Sequence, residues 1–292
     1  MIDSPTPTTT QTDSSGASTL PIPYRSELLS SIPGIVHGLT YRVPGMGKAE
    51  GNIGYSGDRD RDDAWAMRRQ WAEAIGFDIE LMVNVGQVHG NDLIRAYADD
   101  AGRGAAPGTP VIGRADGLVT DAPKVFLSTM HADCQPILLV DPARPAVAAV
   151  HAGWRGTVAD IAGNAVRTMQ REFGSDPAEL IAYLGPAIGG CCNEVGDEVI
   201  DAWKAIAADM GSLVNLAITK PGAKHHFDVP RANSLLLQRA GVLPEHMEVS
   251  PICTRCEVDW WFSHRGQGTA AGRQAAFIGI VPVNEDQESD GE

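Results

Sequence analysis

Three residues of the sequence supply the ligand types that a zinc or copper site needs. His89 lies in the segment Gln87–Gly90, Cys134 follows a predicted strand, and His151 ends another predicted strand. Imidazole nitrogen and thiolate sulfur bind both metals, and a set of three ligands leaves one coordination position open for catalysis. Because the three residues are far apart along the chain, their spacing alone proves nothing. The alternative is structural: Cys134 packs in the core, and each histidine bonds its own loop.

The other four cysteines give a weaker signal. Cys253 and Cys256 form a lone C-x-x-C pair, which is weak evidence for either structural zinc or redox chemistry. Cys191 and Cys192 are adjacent, so a disulfide between them would be strained, and we expect them to pack beneath the turn at Gly189–Gly190. The odd total of five cysteines indicates reduced thiols, ligands or nucleophiles rather than a disulfide framework.

Arginines lie in several glycine-flanked loops. Arg155, Arg265 and Arg273 all have this setting. Glycine lets the backbone approach a ligand closely, and the arginine fork suits phosphate and carboxylate groups. The loops therefore favour capture of an anion, although pairing with local acids such as Glu257 or Asp259 explains the arginines equally well.

Hydrophobic periodicity predicts a mixed α/β architecture in which these residues lie at strand ends. Thr157 and Asp160 form a capping-box pattern at the start of one helix, and Gly76 is a plausible C-cap of another. The pattern predicts helices near residues 62–75, 157–173, 195–210 and 230–239, and strands near 125–127, 137–140, 146–150 and 275–281.

Composition excludes several classes of function. Hydrophobic residues make up 43% and charged residues 21%, as in ordinary globular proteins. The formal net charge is −14, and no basic cluster offsets it, so nucleic-acid binding is not expected. An apolar run as long as a membrane span and a signal-peptide pattern are both missing from the sequence, which predicts a cytoplasmic protein without membrane attachment.

The chain is predicted to form one large domain between two polar ends. Residues 1–20 are mostly Thr, Ser, Pro and Gly and are expected to be a disordered arm. Residues 284–292 hold five acids and are expected to be a disordered tail. The segment between them, residues 21–283, contains no linker long enough to separate two domains.

Several blocks of the sequence occur together and in order in a known family. The chain resembles the laccase-domain, or YfiH-like, family, whose members were first labelled multicopper polyphenol oxidases and later described as zinc-containing purine nucleoside phosphorylases. The resemblance spans about residues 35–282 and rests on Gln87–Gly90, Ala132–Pro136, His151–Gly156, Gly185–Gly189, Phe262–Arg265 and Gly272–Arg273.

The resemblance implies a single-domain layered α/β sandwich with mixed sheets and a zinc ion held by His89, Cys134 and His151. It further implies phosphorolysis of adenosine, inosine, guanosine and S-methyl-5′-thioadenosine by inorganic phosphate, with adenosine deamination as a companion activity. Cys134 and His151 would then take part in catalysis with Asp133, which is a candidate acid or a support for its neighbouring ligand.

Four residues are expected to bind substrate. Arg42 and Asn52 stand where members of the family carry residues near the pocket, and the glycine-flanked Arg155 and Arg265 are candidates for holding phosphate. The glycine-rich turn that usually follows the first arginine is replaced by Val43–Met46 in this chain.

Other functions remain open on the sequence alone. Cys134 activated by His151 would make a cysteine hydrolase or deamidase. A copper polyphenol oxidase is less favoured, because multicopper sites use paired H-x-H histidines and none of the eight histidines forms such a pair. A non-enzymatic domain that binds a partner is disfavoured by the presence of all three metal-ligand candidates.

Overall fold

The computed structural model describes residues 20–55 and 57–282, which form a mixed α/β fold. The predicted arm, apart from Leu20, and the predicted acidic tail lie outside the described residues. The helices are α1 Glu27–Ser30, α2 Arg61–Ile75, α3 Trp154–Val158, α4 Ile161–Phe173, α5 Asp197–Ile206, α6 Val229–Arg239 and α7 His264–Gln267.

Strands occupy much of the remaining chain. They are β1 Ile35–Leu39, β2 Met82–Asn84, β3 Leu93–Arg95, β4 Gly117–Thr120, β5 Phe126–His131, β6 Gln135–Asp141, β7 Ala146–Ala152, β8 Ile181–Leu184, β9 Glu194–Val195, β10 Ile218–Thr219, β11 His225–Phe227, β12 Met247–Val249 and β13 Gln274–Ile280.

These strands form three sheets. The first has the order β1-β13-β5-β2, the second the order β12-β8-β6-β7-β4-β3, and the small third sheet the order β10-β11-β9. Both larger sheets are mixed, because β2 runs parallel to β5 in one, and β12 to β8 and β3 to β4 in the other, while the remaining pairs are antiparallel.

The two larger sheets stack face to face. Successive residues of β6 point to opposite faces, so Leu138 packs in a cluster shared with Ile278 of β13, whereas Leu139 packs against α4, α5 and α6. The outer face of the first sheet is covered by α2, through Trp71 and its neighbours. The layers therefore run in the order α2, four-stranded sheet, six-stranded sheet, and α4 with α5 and α6.

Most of the predicted elements are present, and α2 is the clearest case. Ala64, Met67, Trp71 and Ile75 are all buried along its inner face. Gly76 ends the helix with a left-handed backbone, φ 102°, that glycine adopts without steric cost.

The predicted helix near 157–173 is instead two helices, α3 and α4. Asp160 lies between them with φ 61°, a left-handed conformation that cannot continue a right-handed helix. Thr157 lies inside α3 and not at a helix start. The predicted capping box is therefore wrong, and α3 begins three residues earlier, directly after the strand that carries His151.

The described residues contain no helix long and apolar enough to cross a bilayer.

Leu138 tests the packing between the two large sheets, because it is fully buried. Replacing it by alanine should lower the free energy of unfolding by about 2–5 kcal/mol, since the removed side chain leaves a cavity that neighbouring strands cannot close. Denaturant unfolding measures this loss. Leu213→Ala is the control, since Leu213 is 48% exposed, and it should change the free energy little. An equal effect of the two substitutions would contradict the layer arrangement.

Candidate active site

His89, Cys134 and His151 converge at one edge of the stacked sheets. Their ligand atoms all lie within 4.8 Å of one another, which is the spacing of a set that holds one metal ion. The rings of His89 and His151 meet edge to face with centroids 4.9 Å apart. His151 is buried, Cys134 half-buried and His89 exposed, so the set opens to solvent on one side.

Strand register brings the group together. β6 and β7 are antiparallel, with Gln135 opposite Ala152 and Pro136 opposite His151, so Cys134 lies beside the end of β7. β4 pairs on the other side of β7, with Gly117 opposite Val150. Residues just before β4 and β6 therefore lie close to the end of β7, although the three segments are distant in sequence.

Asp116, the residue before β4, organises this edge and was not predicted from the sequence. Its carboxylate is fully buried and accepts hydrogen bonds from the backbone N–H groups of Val88, His89 and Gly90 at 3.2, 2.9 and 2.6 Å. It also accepts one from Nδ1 of His151 at 2.9 Å. One carboxylate thus fixes both the loop that carries His89 and the ring of His151.

Burial alone would raise the pKa of Asp116. Hydrogen bonds from His151 and from the amides of Gly90 and His89 more than offset this effect and lower the pKa below its usual value. The ionised carboxylate holds the proton of His151 on Nδ1, which leaves Nε2 as the ring nitrogen available to a metal. Such a carboxylate is the usual partner of a metal-bound histidine.

Cys134 and His151 shift each other's pKa in the directions that favour an ion pair. Burial opposes both charges, but the charge of His151 and hydrogen bonds from His151 and His89 lower the pKa of the Cys134 thiol. The Cys134 sulfur and Asp116 in turn raise the pKa of His151. The site therefore favours a thiolate, which is the form of cysteine that binds metals and attacks electrophiles.

His131 lies beside the cluster without joining it. Its Nδ1 donates to the Cys134 carbonyl at 3.1 Å, and its Nε2 accepts from the Thr129 hydroxyl at 2.9 Å. Burial, with a smaller contribution from the charge of His151, holds its pKa well below the usual value. His131 is a neutral side chain that supports the Cys134 backbone.

Two residues of the site have a strained backbone. His89 and Asp133 have φ values of 60° and 84°, in the left-handed region that side chains usually avoid. Gln87 holds the first of these loops, because its side chain donates to the Met130 carbonyl at 2.8 Å and accepts from the Met130 amide at 2.7 Å. Strained residues that surrounding contacts hold in place are typical of functional sites.

Gly153 provides the space that the cluster needs. A Cβ atom at this position would lie 2.9 Å from the Cys134 sulfur and 3.3 Å from the His89 ring. Any larger residue would therefore displace two of the three candidate ligands.

The cluster opens into a cavity of about 750 Å³, a size usual for sites that hold small molecules. Its wall combines apolar and aromatic surface with cationic groups, and includes Tyr55, Met130, Trp154, Ile188, Val229, Arg68, Arg265 and Arg273.

Asp133 lies in the wall of this cavity with both carboxylate oxygens engaged. Oδ1 accepts from the Thr254 hydroxyl at 2.7 Å, and Oδ2 accepts from the backbone amide of Arg265 at 2.6 Å. Its position beside Cys134 makes it a link between the metal-ligand candidates and the loop that follows β12.

Arg265 lines the cavity, as the prediction of a substrate contact requires. Its guanidinium donates to the Glu194 carbonyl at 3.0 Å and to the Asn193 side chain at 3.2 Å. Much of its hydrogen-bonding capacity is therefore committed to the neighbouring loop.

The other three residues that were predicted to bind substrate do not line this cavity, and their role in binding stays a prediction. Arg42 pairs with Glu50 at 2.5 Å and donates to the Val258 carbonyl, away from the residues that line the cavity. Arg155 is exposed, its guanidinium lies 4.3 Å from the centre of the Trp154 ring, and it does not line the cavity either.

Asn52 acts one step behind the cavity wall. It is buried, and its side-chain oxygen accepts from the amides of Gly54 at 3.2 Å and of Arg273 at 2.8 Å. Asn52 therefore holds two residues that line the cavity, Gly54 and Arg273, and a contact of its own with substrate stays a prediction.

Arg273 was recognised in the sequence as a loop arginine but was not assigned to the site. Burial and the charge of Arg59 lower its pKa, while the charges of Cys134 and Asp133 raise it. The guanidinium of Arg273 therefore interacts electrostatically with Cys134, which is one of the metal-ligand candidates, and with a second cation, Arg59.

Comparison with known proteins places the chain in a family. Residues 36–281 match the family described as multi-copper polyphenol oxidoreductase laccase. The chain belongs to this family. The resemblance expected from the sequence blocks is thereby confirmed, over nearly the whole of the described fold.

Relatives within the family carry enzyme names. The chain is 39% identical over 249 residues to a purine nucleoside phosphorylase, YlmD, of Geobacillus stearothermophilus, covering 84% of this chain and 90% of the relative. It is 35% identical over 248 residues to an adenosine deaminase, RL5, of an unknown prokaryotic organism, covering 80% and 90% respectively. The crystal structure of the Geobacillus YlmD superposes with a TM-score of 0.82 at 36% identity, over 88% of this chain and 94% of that one.

Asp116→Asn tests whether the buried carboxylate orients the site. The amide offers one acceptor in place of two, so it cannot bond both His151 and the three amides. We expect metal affinity to fall about 10–100-fold. Competition with a chromophoric chelator measures the affinity. Asp121→Asn is the control, because that carboxylate is partly exposed and pairs with Arg95, outside the cluster. Unchanged metal affinity in Asp116→Asn would contradict the proposed orientation.

Proposed function

We propose that this protein is a metal-dependent enzyme that cleaves purine nucleosides with phosphate and also deaminates adenosine. The observation that carries the proposal is the cluster of His89, Cys134 and His151, which faces the cavity and is oriented by Asp116. The names of the relatives support the reaction classes. Free base and a ribose-1-phosphate derivative would be the products of phosphorolysis.

Zinc is the proposed metal. Two imidazoles and one thiolate are a common donor set for a catalytic zinc with one open position. When bound, the ion would act as a Lewis acid that activates water or a substrate oxygen. Copper is less favoured, because a multicopper centre needs further histidines and His131 has both ring nitrogens engaged by protein groups.

The cavity offers complementary surfaces for a nucleoside. Trp154, Ile188 and Val229 provide apolar and aromatic contact area for a purine or a ribose. Tyr55 presents one ring face to the guanidinium of Arg68, 3.7 Å from its centre, which stiffens the opposite wall. These surfaces position the substrate between the metal-ligand candidates and the arginines.

We assign the phosphate to the neighbourhood of Arg273. Arg273 lines the cavity, and Arg59 donates to the same Ala271 carbonyl as Arg273, so a second guanidinium group lies beside that of Arg273. Their mutual repulsion is relieved when an anion binds between or beside them. Arg155, which lies outside the cavity wall, is not part of this assignment.

We assign a positioning role to Asp133. Both of its oxygens accept hydrogen bonds from protein groups. These bonds fix the cavity wall beside Cys134 and occupy the oxygens that would otherwise carry a proton to the substrate. The departing base would then take its proton from water or from a group of the bound substrates, and not from Asp133.

A cysteine hydrolase is the second candidate. The observation that favours it is the thiolate of Cys134 paired with a charged His151. In that case the reaction would need neither metal nor phosphate, and metal content together with phosphate dependence distinguishes the two candidates.

Cys134→Ala should lower the metal content by about one ion per chain and abolish phosphate-dependent release of base from adenosine and inosine. The thiolate is the only anionic ligand among the three candidates, so its loss weakens the site most. Elemental analysis and a chromatographic assay of free base measure the two effects. His225→Ala serves as the control, since that histidine pairs with Asp197 outside the cluster. Full activity of metal-free protein would sink the proposal in favour of the hydrolase.

Arg273→Lys should raise the KM for phosphate by about tenfold or more, with the metal retained. Lysine keeps the charge but loses the bidentate fork, and a hydrogen bond to a charged group contributes about 1.5–3 kcal/mol. The comparison is Arg155→Lys, which should leave that KM unchanged because Arg155 is exposed on Trp154. The opposite pattern would return the phosphate site to Arg155.

A further inference from the structure

A second cluster of ligand atoms lies outside the site described above. Cys191 and Cys192 follow β8, and Cys253 and Cys256 follow β12, yet the four sulfur atoms all lie within 4.8 Å of one another. The sulfur of Cys256 is 3.6 Å from that of Cys191 and 3.4 Å from that of Cys192. The two pairs, weak signals when taken separately in the sequence, thus form one group.

The spacing of the sulfurs fits one tetrahedral metal ion. With zinc–sulfur bonds of about 2.3 Å, the edges of a tetrahedron of sulfurs are about 3.8 Å long. The two recorded contacts are slightly shorter than this edge and much longer than the bond of about 2.05 Å in a disulfide. Adjacent cysteines usually diverge, but here Cys191 and Cys192 both reach the same sulfur.

The backbone holds the two loops so that the sulfurs converge. The amide of Gly189 donates to the sulfur of Cys253 at 3.3 Å, which stabilises negative charge on that sulfur. The amides of Cys192 and Asn193 both donate to the Gly189 carbonyl at 3.0 Å and close a tight turn. Ala187 pairs with Cys253 in a parallel bridge that joins the two loops.

We propose that Cys191, Cys192, Cys253 and Cys256 bind one zinc ion in a structural site, separate from the site formed by His89, Cys134 and His151. Four thiolates fill a tetrahedral zinc and leave no position for water or substrate. The ion therefore joins two loops and does not take part in the reaction.

The joined loops build the wall of the cavity. Thr254, between the two ligands of the C-x-x-C pair, donates to Asp133 at 2.7 Å. Arg265, in the helix α7 that follows this loop, donates from its backbone to Asp133 and from its side chain to the carbonyl of Cys192 at 3.5 Å. A metal that fixes both loops thus fixes the contacts of Asp133, the residue before Cys134.

The test counts metal ions in protein whose first site has been removed. Cys134→Ala should retain about one zinc per chain by elemental analysis. X-ray absorption of that protein should show sulfur ligands alone, at about 2.3 Å, with none of the shorter bonds to nitrogen. Adding Cys253→Ser and Cys256→Ser to Cys134→Ala should remove the remaining ion.

The matched comparison keeps the first site. Cys253→Ser with Cys256→Ser, in a chain with Cys134 intact, should lose one ion and keep the one bound by the histidines. If this variant fails to fold, the absorption measurement on Cys134→Ala decides alone. These readouts need no enzyme activity, so failure of the proposed reaction would leave them intact.

The proposal is overturned by Cys134→Ala protein that contains no metal. Two forms of that result are distinguishable: four thiols that all react with a thiol reagent, or a mass two hydrogens lower that reveals a disulfide such as Cys192–Cys256. A remaining metal with nitrogen or oxygen ligands would overturn it as well.

Discussion

The hydrogen bonds of one buried carboxylate hold the candidate active site together. Asp116 accepts from three consecutive amides of the His89 loop and from His151, so a single side chain fixes two of the three candidate metal ligands. Four donors stabilise the charge in a place where burial alone would neutralise it. The exposed loop of His89 is further held by the clamp between Gln87 and Met130 and by Asn91, whose side chain donates to the Ala159 carbonyl at 2.7 Å. The third ligand, Cys134, depends on Asp116 indirectly, through the ring of His151.

Sheet register makes this arrangement possible. Asp116, Cys134 and His151 stand at the ends of three neighbouring strands, and antiparallel pairing across β7 brings them to the same edge. A shift of one residue in either pairing would turn the side chains to the opposite face. In β6, Leu138 packs in one hydrophobic cluster and Leu139 in the other. This packing prevents such a shift, because the shift would remove both side chains from their clusters. Packing energy far from the cavity is thus what keeps the candidate ligands in place.

Sequence reasoning reached the parts of this structure that are encoded locally. The apolar stripe of α2 and its terminal Gly76 follow from helical period and backbone freedom, and ligand chemistry at strand ends pointed to His89, Cys134 and His151. Asp116 was missed because a single acid before a strand has no spacing pattern; only its place beside an apolar strand in Ala115-Asp116-Gly117 could have drawn attention to it. Arg155 and Arg42 could not be judged, because stacking on Trp154 and pairing with Glu50 depend on side-chain direction. The two cysteine pairs, in which Cys256 contacts residues 64 and 65 positions before it, meet through the parallel pairing of β12 with β8 and the bridge between Ala187 and Cys253.

The charge of the chain explains why the arginines at the cavity are few and firmly placed. With a net charge of −14, the protein as a whole repels phosphate, so an anion can be bound only where local cations outweigh the distant acids. Arg68 and Arg265 are anchored to backbone carbonyls, which fixes their charge in the wall. Burial and the charge of Arg59 lower the pKa of Arg273, and the charges of Cys134 and Asp133 raise it. If phosphate binds beside Arg273 as proposed, it would lower the repulsion between two cations while it approaches two anionic residues. Phosphate binding should then be strongest when a metal has neutralised the charge of Cys134, so occupation of the proposed metal site and of the proposed anion site would favour one another.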